Sequence, residues 1–178
     1  MSALYSIGEG LYFHGMAKLY LICGLVGSGK TTYSKQLEKE QNALRLSLDE
    51  WMIPLYGEHM ERQMFEKRRS ALQSLFNDSA CRLLDLGVPV IFDYGFWKKI
   101  DREKTIKWAE TMGHESVIYF IDTPSEVRRL RIARRNLLHS SQHYFFSENM
   151  VELFDSWFEA PSFEENPITI TSEPNITE

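Results

Sequence analysis

Between residues 24 and 31 the chain reads Gly24-Leu25-Val26-Gly27-Ser28-Gly29-Lys30-Thr31. Glycines at these spacings let a backbone turn tightly and aim its N–H groups at one point, which makes an anion nest. The adjacent lysine suits β- and γ-phosphates, and the hydroxyl after it suits Mg²⁺. The pattern therefore points to a nucleoside triphosphate, ATP with Mg²⁺, held by all eight residues with Thr32 beside them. A glycine-rich turn with an incidental lysine would lack the surroundings found here. An apolar, β-forming run, Lys18 to Cys23, leads into the motif, and a helical pattern follows. The new helix adds its N-terminal dipole to the site.

Asp49 follows the next apolar run. A carboxylate there can accept the proton of a hydroxyl that attacks the γ-phosphate. Glu50 is its rival, and a helix N-cap is the competing role for Asp49. Further on, Arg128, Arg129, Arg131, Arg134 and Arg135 form a dense run. Arg128, Arg131 and Arg135 have the spacing of one helix face. Guanidinium groups match phosphate oxygens, so the run reads as a lid over the transferred phosphoryl, with a solvated face paired to Glu126 and other acids as the alternative. Asp93 ends a third apolar run and is a candidate near the metal. Trp51, Tyr56, Tyr94, Phe96 and Trp97 cluster after the two acidic strand ends, where they would form either an acceptor pocket or ordinary core beneath loops. His59, His114, His139 and His143 lack ligand spacing with cysteine or acid partners.

These residues need elements to hold them. Ala43–Leu48, Val88–Phe92, Ser116–Ile121 and Ile168–Ile170 read as strands after Lys18–Cys23. Helical patterns cover Tyr33 to Asn42, His59–Leu86, Ile100–Met112, Pro124–Asn136 and Ser147–Phe158. Trp51–Gly57 reads as a loop because it holds Pro54 and Gly57. In the long pattern Met60, Met64, Leu72, Leu75, Phe76, Ala80, Leu83 and Leu84 repeat at helical spacing, and Gly87 stops it. Strands alternating with helices specify an α/β three-layer sandwich with a mostly parallel five-stranded sheet and an arginine-bearing lid. Right-handed crossovers bring the phosphate loop, Asp49, Asp93 and the Asp122 turn to one edge.

The 178 residues suit one domain, read as 17–178, with residues 1–16 an N-terminal extension or expression remnant. Met16 is a candidate start, and the first residues lack the pattern of a signal peptide. A net charge of −5 excludes a polycation but not a local basic groove. Cys23 and Cys81 read as small core residues. No apolar stretch reaches the ~18 residues of a membrane span, so the expected location is the cytoplasm. The chain is too short for a ring ATPase with its lid domain, and it lacks the Asn-Lys-x-Asp base-reading motif of GTPases. The third strand ends in Asp93-Tyr94-Gly95 rather than the adjacent acids of motor ATPases.

The segments GLVGSGKTT, LSLDEW, VIFDYGFW and RRLRIARRN together resemble the small P-loop kinases allied to polynucleotide kinases, zeta toxins and chloramphenicol phosphotransferases. Stand-alone bacterial "AAA-type ATP-binding" proteins are the nearest likeness, over about residues 18–161. The resemblance implies Asp49 as general base, Lys30 and Thr31 as phosphate and Mg²⁺ residues, and Arg131 and Arg135 as lid arginines beside Asn136. It also implies Asp93 near the metal or acceptor, and Phe158 to Pro161 framing the nucleotide. Glu50-Trp51 after Asp49, and the short stretch from Leu137 to Ser147, depart from the pattern on the acceptor side.

The expected activity is transfer of the γ-phosphoryl of Mg-ATP to a small-molecule hydroxyl. Asp49, Lys30, Arg131 and Arg135 would be catalytic, Arg128 a nucleotide contact, and Thr31 and Asp93 metal residues. One alternative is a polynucleotide 5′-hydroxyl kinase, for which Lys98, Lys99, Arg102, Lys104 and Lys107 would supply a basic patch. The other is a non-catalytic ATP-binding regulator.

Overall fold

The computed structural model describes residues 17–57, 60–137 and 144–171. Expectations for residues 1–16, His59, His139, His143 and the end of the acidic tail lie outside the described residues. Strand β1 (Lys18–Cys23) is buried from Leu19 onward, as befits a run that is apolar on both faces. It lies at the centre of a five-stranded sheet ordered β2-β3-β1-β4-β5. The other strands are β2 (Leu44–Ser47), β3 (Val90–Gly95), β4 (Glu115–Asp122) and β5 (Ile168–Thr171), and every pairing is parallel. Leu21 pairs with Phe92 on one side and Ile118 on the other.

Alternation along β1 divides the core. Leu19, Leu21 and Cys23 join Phe92 and Ile118 under Leu72, Phe76, Ala80 and Leu84 of α3 (Arg62–Asp85) and Ala109 of α4 (Lys99–Thr111). Tyr20 and Ile22 join Ile91, Ile121 and Leu37 of α1 (Lys30–Gln41) on the opposite face. Helices α5 (Ser125–Leu137) and α6 (Glu148–Trp157) follow β4. Among the described residues no helix is long and apolar enough to cross a membrane.

Several boundaries differ from expectation. Leu48–Tyr56 is a helix, α2, despite Pro54 inside it. Proline forfeits one backbone bond and strains the preceding turn. Burial of Leu48, Met52 and Ile53 offsets this, and the helix ends soon after, with Gly57 N–H donating to Ile53 O at 2.8 Å. β3 begins at Val90 and runs on through Asp93, so that aspartate lies inside the strand. In α3, Leu72, Phe76, Ala80 and Leu84 are buried, whereas Met64 and Leu75 are exposed. Cys81 is only partly buried, and His114 sits 3.1 Å from Asp85 Oδ1.

Candidate active site

The phosphate loop leaves β1 at Gly24 and enters α1 at Lys30. Neighbouring elements hold it from every side. Gly24 N–H donates to Gly95 O at 3.1 Å, and Trp97 Nε1 donates to Gly24 O at 3.0 Å. Thr123, after β4, donates its hydroxyl to Ser28 O at 2.9 Å. The glycines are there for space as well as turning. A Cβ on Gly24 would lie 2.8 Å from Ile121 O, and one on Gly27 would lie 2.7 Å from Arg128 O. Gly27 also has φ +79°, a left-handed conformation that side chains disfavour.

Lys30 folds back over the loop and donates to Leu25 O at 2.7 Å. Burial holds its pKa below the ordinary lysine value, while Asp93 and Asp49 oppose that shift. Thr31 is exposed in the first turn of α1. Ser34, one turn further, places its hydroxyl 2.8 Å from Asp93 Oδ2 and 3.1 Å from Thr31 O. Asp93 Oδ2 also accepts from Arg45 Nη1 at 2.9 Å.

Asp49 lies in the first turn of α2, and Ser47 occupies the N-cap. Its carboxyl faces Lys30, Asp93, Arg69 and Arg135. Enclosure by protein pushes its pKa above the ordinary 3.8 although part of the residue stays open to solvent. Lys30 is the strongest of the cations that hold it down. Glu50 points elsewhere, to Lys35 at 3.0 Å and to Arg45. The two adjacent acids are thus separated by direction: one lies on the crevice side with the phosphate-loop lysine, the other in an ion-pair network behind it.

The arginines of α5 divide similarly. Arg128 and Arg131 reach back to the phosphate loop, Arg131 Nη1 donating to Ser28 O at 3.2 Å and Arg128 Nη1 approaching Val26 O at 3.4 Å. Arg135 stands across from Asp49, with its Nε and Nη2 buried and without hydrogen-bond partners among the described residues. Burial lowers its pKa and Asp49 opposes the shift. The acids seen against this helix come from α6, among the other acids the alternative allowed: Asp155 pairs with Arg128 at 3.0 Å, and Glu148 lies 3.7 Å from Arg129. Asn136 clamps the returning chain, donating to Phe146 O at 2.7 Å and accepting from Phe146 N at 3.3 Å.

The aromatic cluster splits between core and rim. Tyr94 stacks between Phe92 and Phe96 at 4.6 and 5.6 Å, Trp97 props the phosphate loop, and Trp51 is 49% exposed with its edge on Phe76. Of the candidate basic patch, Arg102 is withdrawn from the surface, Lys98 and Lys99 make exposed ion pairs, and Lys104 and Lys107 stay exposed. Arg102 is buried against Glu165, Lys98 pairs with Glu159 at 3.1 Å, and Lys99 lies 3.8 Å from Glu103. Glu159 also caps α4 by accepting from Lys99 N at 2.8 Å, so the Phe158–Pro161 segment is tied to the turn that carries Trp97.

Arg45, Ser34, Thr123 and Arg69 were not among the sequence candidates. Arg45 sits in a short strand whose alternation marks it as merely outward-facing. Arg69 carried a readable signal, a charge at helical spacing between Phe65 and Leu72.

A family model described as an AAA domain matches residues 19–161. No curated protein matches in sequence. Solved structures with the same fold include a candidate kinase from Chloroflexus aurantiacus (TM-score 0.70, 19% identity, covering 90% of this chain and 87% of that one). Kti12 of Chaetomium thermophilum, in complex with ADP-AlF3, superposes with TM-score 0.68 at 19% identity, covering 90% and 91%. The APS kinase of Mycobacterium tuberculosis, in complex with AMPPNP and APS, gives TM-score 0.59 at 22% identity, covering 91% of each chain.

Proposed function

The chain belongs to the AAA domain family and has the fold of the P-loop kinases, and from that premise we propose that it transfers the γ-phosphoryl of ATP to the hydroxyl of a small molecule. The observation that carries this reading is the opposition of Lys30 and Asp49 across one crevice, with Arg135 on the far wall. The phosphate loop, Gly24 to Thr31, with Thr32 beside it, binds the triphosphate. Lys30 meets the β- and γ-phosphates, and Arg131 and Arg135 take up the charge of the transferred group, with Arg128 steadying the loop beneath it. The acceptor O–H gives its proton to Asp49. The oxygen forms a bond to the γ-phosphorus as the bond from that phosphorus to the ADP oxygen breaks.

The residues also fit Mg²⁺. This ion takes oxygen ligands and keeps several waters, so it is held by few protein groups and by phosphate. Thr31 offers an exposed hydroxyl, and Asp93, turned toward the loop by Ser34 and Arg45, offers a carboxylate. The bound ion would supply charge neutralisation at the phosphates. Among the described residues no three acidic, His or Cys side chains gather as a full cage.

The test is ATP consumption over a panel of nucleosides, sugars, aminoglycosides and 5′-hydroxyl oligonucleotides. Acceptor-dependent turnover should fall by about 10²–10⁴ in Asp49→Asn with ATP binding retained, and Lys30→Ala should abolish turnover. ATP binding with no dependence on any acceptor would favour a regulatory ATP-binding role instead.

A further inference from the structure

The line of α3 that runs through Phe65, Leu72 and Phe76 carries one charged residue. Phe65, Leu72 and Phe76 follow helical spacing and pack toward the core, Leu72 and Phe76 buried and Phe65 partly so. Arg69 has the same spacing, one turn after Phe65 and before Leu72. Its neighbours on the stripe define where it points. Phe65 meets the ring of Tyr144 at 6.2 Å, and Phe76 meets Trp51 at 5.2 Å and Tyr94 at 6.3 Å. Arg69 therefore projects into the crevice beside Asp49, between two aromatic walls.

A partly buried guanidinium is normally paired. Arg69 makes no ion pair or hydrogen bond among the described residues. Its neighbour Arg68 is accounted for, lying 4.4 Å from the centre of the Tyr56 ring. Beneath Arg69 the Tyr94 hydroxyl is likewise buried and without a hydrogen-bond partner.

The charges around Asp49 point the same way. Lys30, Arg69 and Arg135 surround it, while the nearby Asp93 is already matched by Arg45. A bound triphosphate engages Lys30 on the loop and Arg135 on α5. Arg69 stands on α3, on the wall that the phosphate loop and α5 do not form, so the donor leaves it unmatched.

We propose that Arg69 is the anion receptor of the acceptor site, so that the molecule phosphorylated here carries an oxyanion (a phosphate monoester, sulfate or carboxylate) close to its reacting hydroxyl. The identification of that hydroxyl rests on the phosphotransfer reading above; the anion site itself does not. The anion takes no part in bond breaking. It holds the acceptor so that the hydroxyl sits at Asp49 while the apolar part lies against Trp51 and Phe65. Arg69 thus acts as a specificity-determining residue, and Tyr94 can donate a further hydrogen bond once the anion is seated.

Two measurements test this. In the first, inorganic sulfate is titrated into the full chain saturated with a non-hydrolysable ATP analogue, and tryptophan fluorescence is read. Saturable binding should weaken about tenfold or more in Arg69→Ala and Arg69→Met, and recover to within about threefold in Arg69→Lys. Equal sulfate binding in all four proteins, or none in the unsubstituted chain, overturns the anion site whatever the activity. In the second, turnover is compared on matched acceptors, glycerol with glycerol 3-phosphate and ribose with ribose 5-phosphate. The anionic member should be preferred about tenfold or more in kcat/KM, and Arg69→Ala should erase that preference. Preference for the neutral members overturns the proposal while leaving phosphotransfer intact. Sulfate binding that depends on Arg69, without turnover on any acceptor, would sink the phosphotransfer reading and leave the anion site standing. Thermal melting of each variant separates loss of the anion contact from loss of the fold.

Discussion

Replacing Arg102 with methionine should cost about 3–5 kcal/mol of folding stability, the range for stranding one partner of a buried ion pair. The guanidinium is fully buried, and the Glu165 carboxylate that it meets is only 7% exposed. Its Nε and Nη2 donate to Glu165 at 2.6 and 2.9 Å, and its Nη1 donates to Glu159 O at 2.8 Å and Phe96 O at 3.0 Å. Methionine fills much of the volume but donates nothing. Phe96 O keeps a weak thiol donor, Cys23 Sγ at 3.4 Å, so the main losses are the stranded carboxylate and Glu159 O. Urea denaturation at neutral pH is the assay. Pairing the change with Glu165→Gln removes the stranded charge, keeps an acceptor for Ser162 N–H, and should recover about 1 kcal/mol or more. The pH dependence has a definite sign. Arg102 holds the Glu165 pKa below its ordinary 4.5. The stabilisation is therefore fully present above 4.5 and is lost as pH falls through the lowered folded value. The gap between Arg102→Met and the unsubstituted protein should accordingly narrow in acid. A loss below about 1 kcal/mol at neutral pH, or a gap that widens in acid, would refute the assignment of this cation as a buried structural clamp.

Gly27→Ala should weaken ATP binding about tenfold or more, because ~1–2 kcal/mol of left-handed backbone strain adds to the contact with Arg128; calorimetric titration with ATP checks it, and unchanged affinity would mean that the loop and α5 are not packed as described. The acid limb of kcat/KM should lie above the ordinary carboxylate value of 3.8, since enclosure raises the Asp49 pKa and the base must be ionised to accept a proton. Arg69→Met should move that limb higher still, because it removes a cation that favours the ionised form; a pH–rate profile that does not move, or moves down, would count against the pairing of Asp49 with Arg69.

The phosphate loop was readable in the chain because its chemistry is local. Three glycines, a lysine and a threonine must be contiguous to wrap one anion, so their spacing is visible without the fold. The parallel sheet was also legible, since β1 is apolar on both faces and the strands alternate with helices. Pro54 misled the reading of α2, because local propensity opposes a helix there and only the burial of Leu48, Met52 and Ile53 reverses it. Arg102 was misassigned to the basic patch for a related reason. Arg102 looks like its lysine neighbours in the sequence, and its partner Glu165 lies 63 residues away.

The residues proposed to surround an acceptor depend on the fold in the same way. Asp49 and Glu50 are adjacent and chemically alike; the strand end and the LSLDEW resemblance favour Asp49, but neither says where the two carboxylates point. The turn from β2 into α2 sends Asp49 toward Lys30 and leaves Glu50 with Arg45 and Lys35. Arg69 is one arginine among several in α3 until the aromatic contacts of Phe65 and Phe76 orient its stripe toward the crevice. The donor side of the site is a property of consecutive residues. The proposed acceptor side would draw on α2, α3, β3 and α5, which come together only because the sheet order places β3 beside β1.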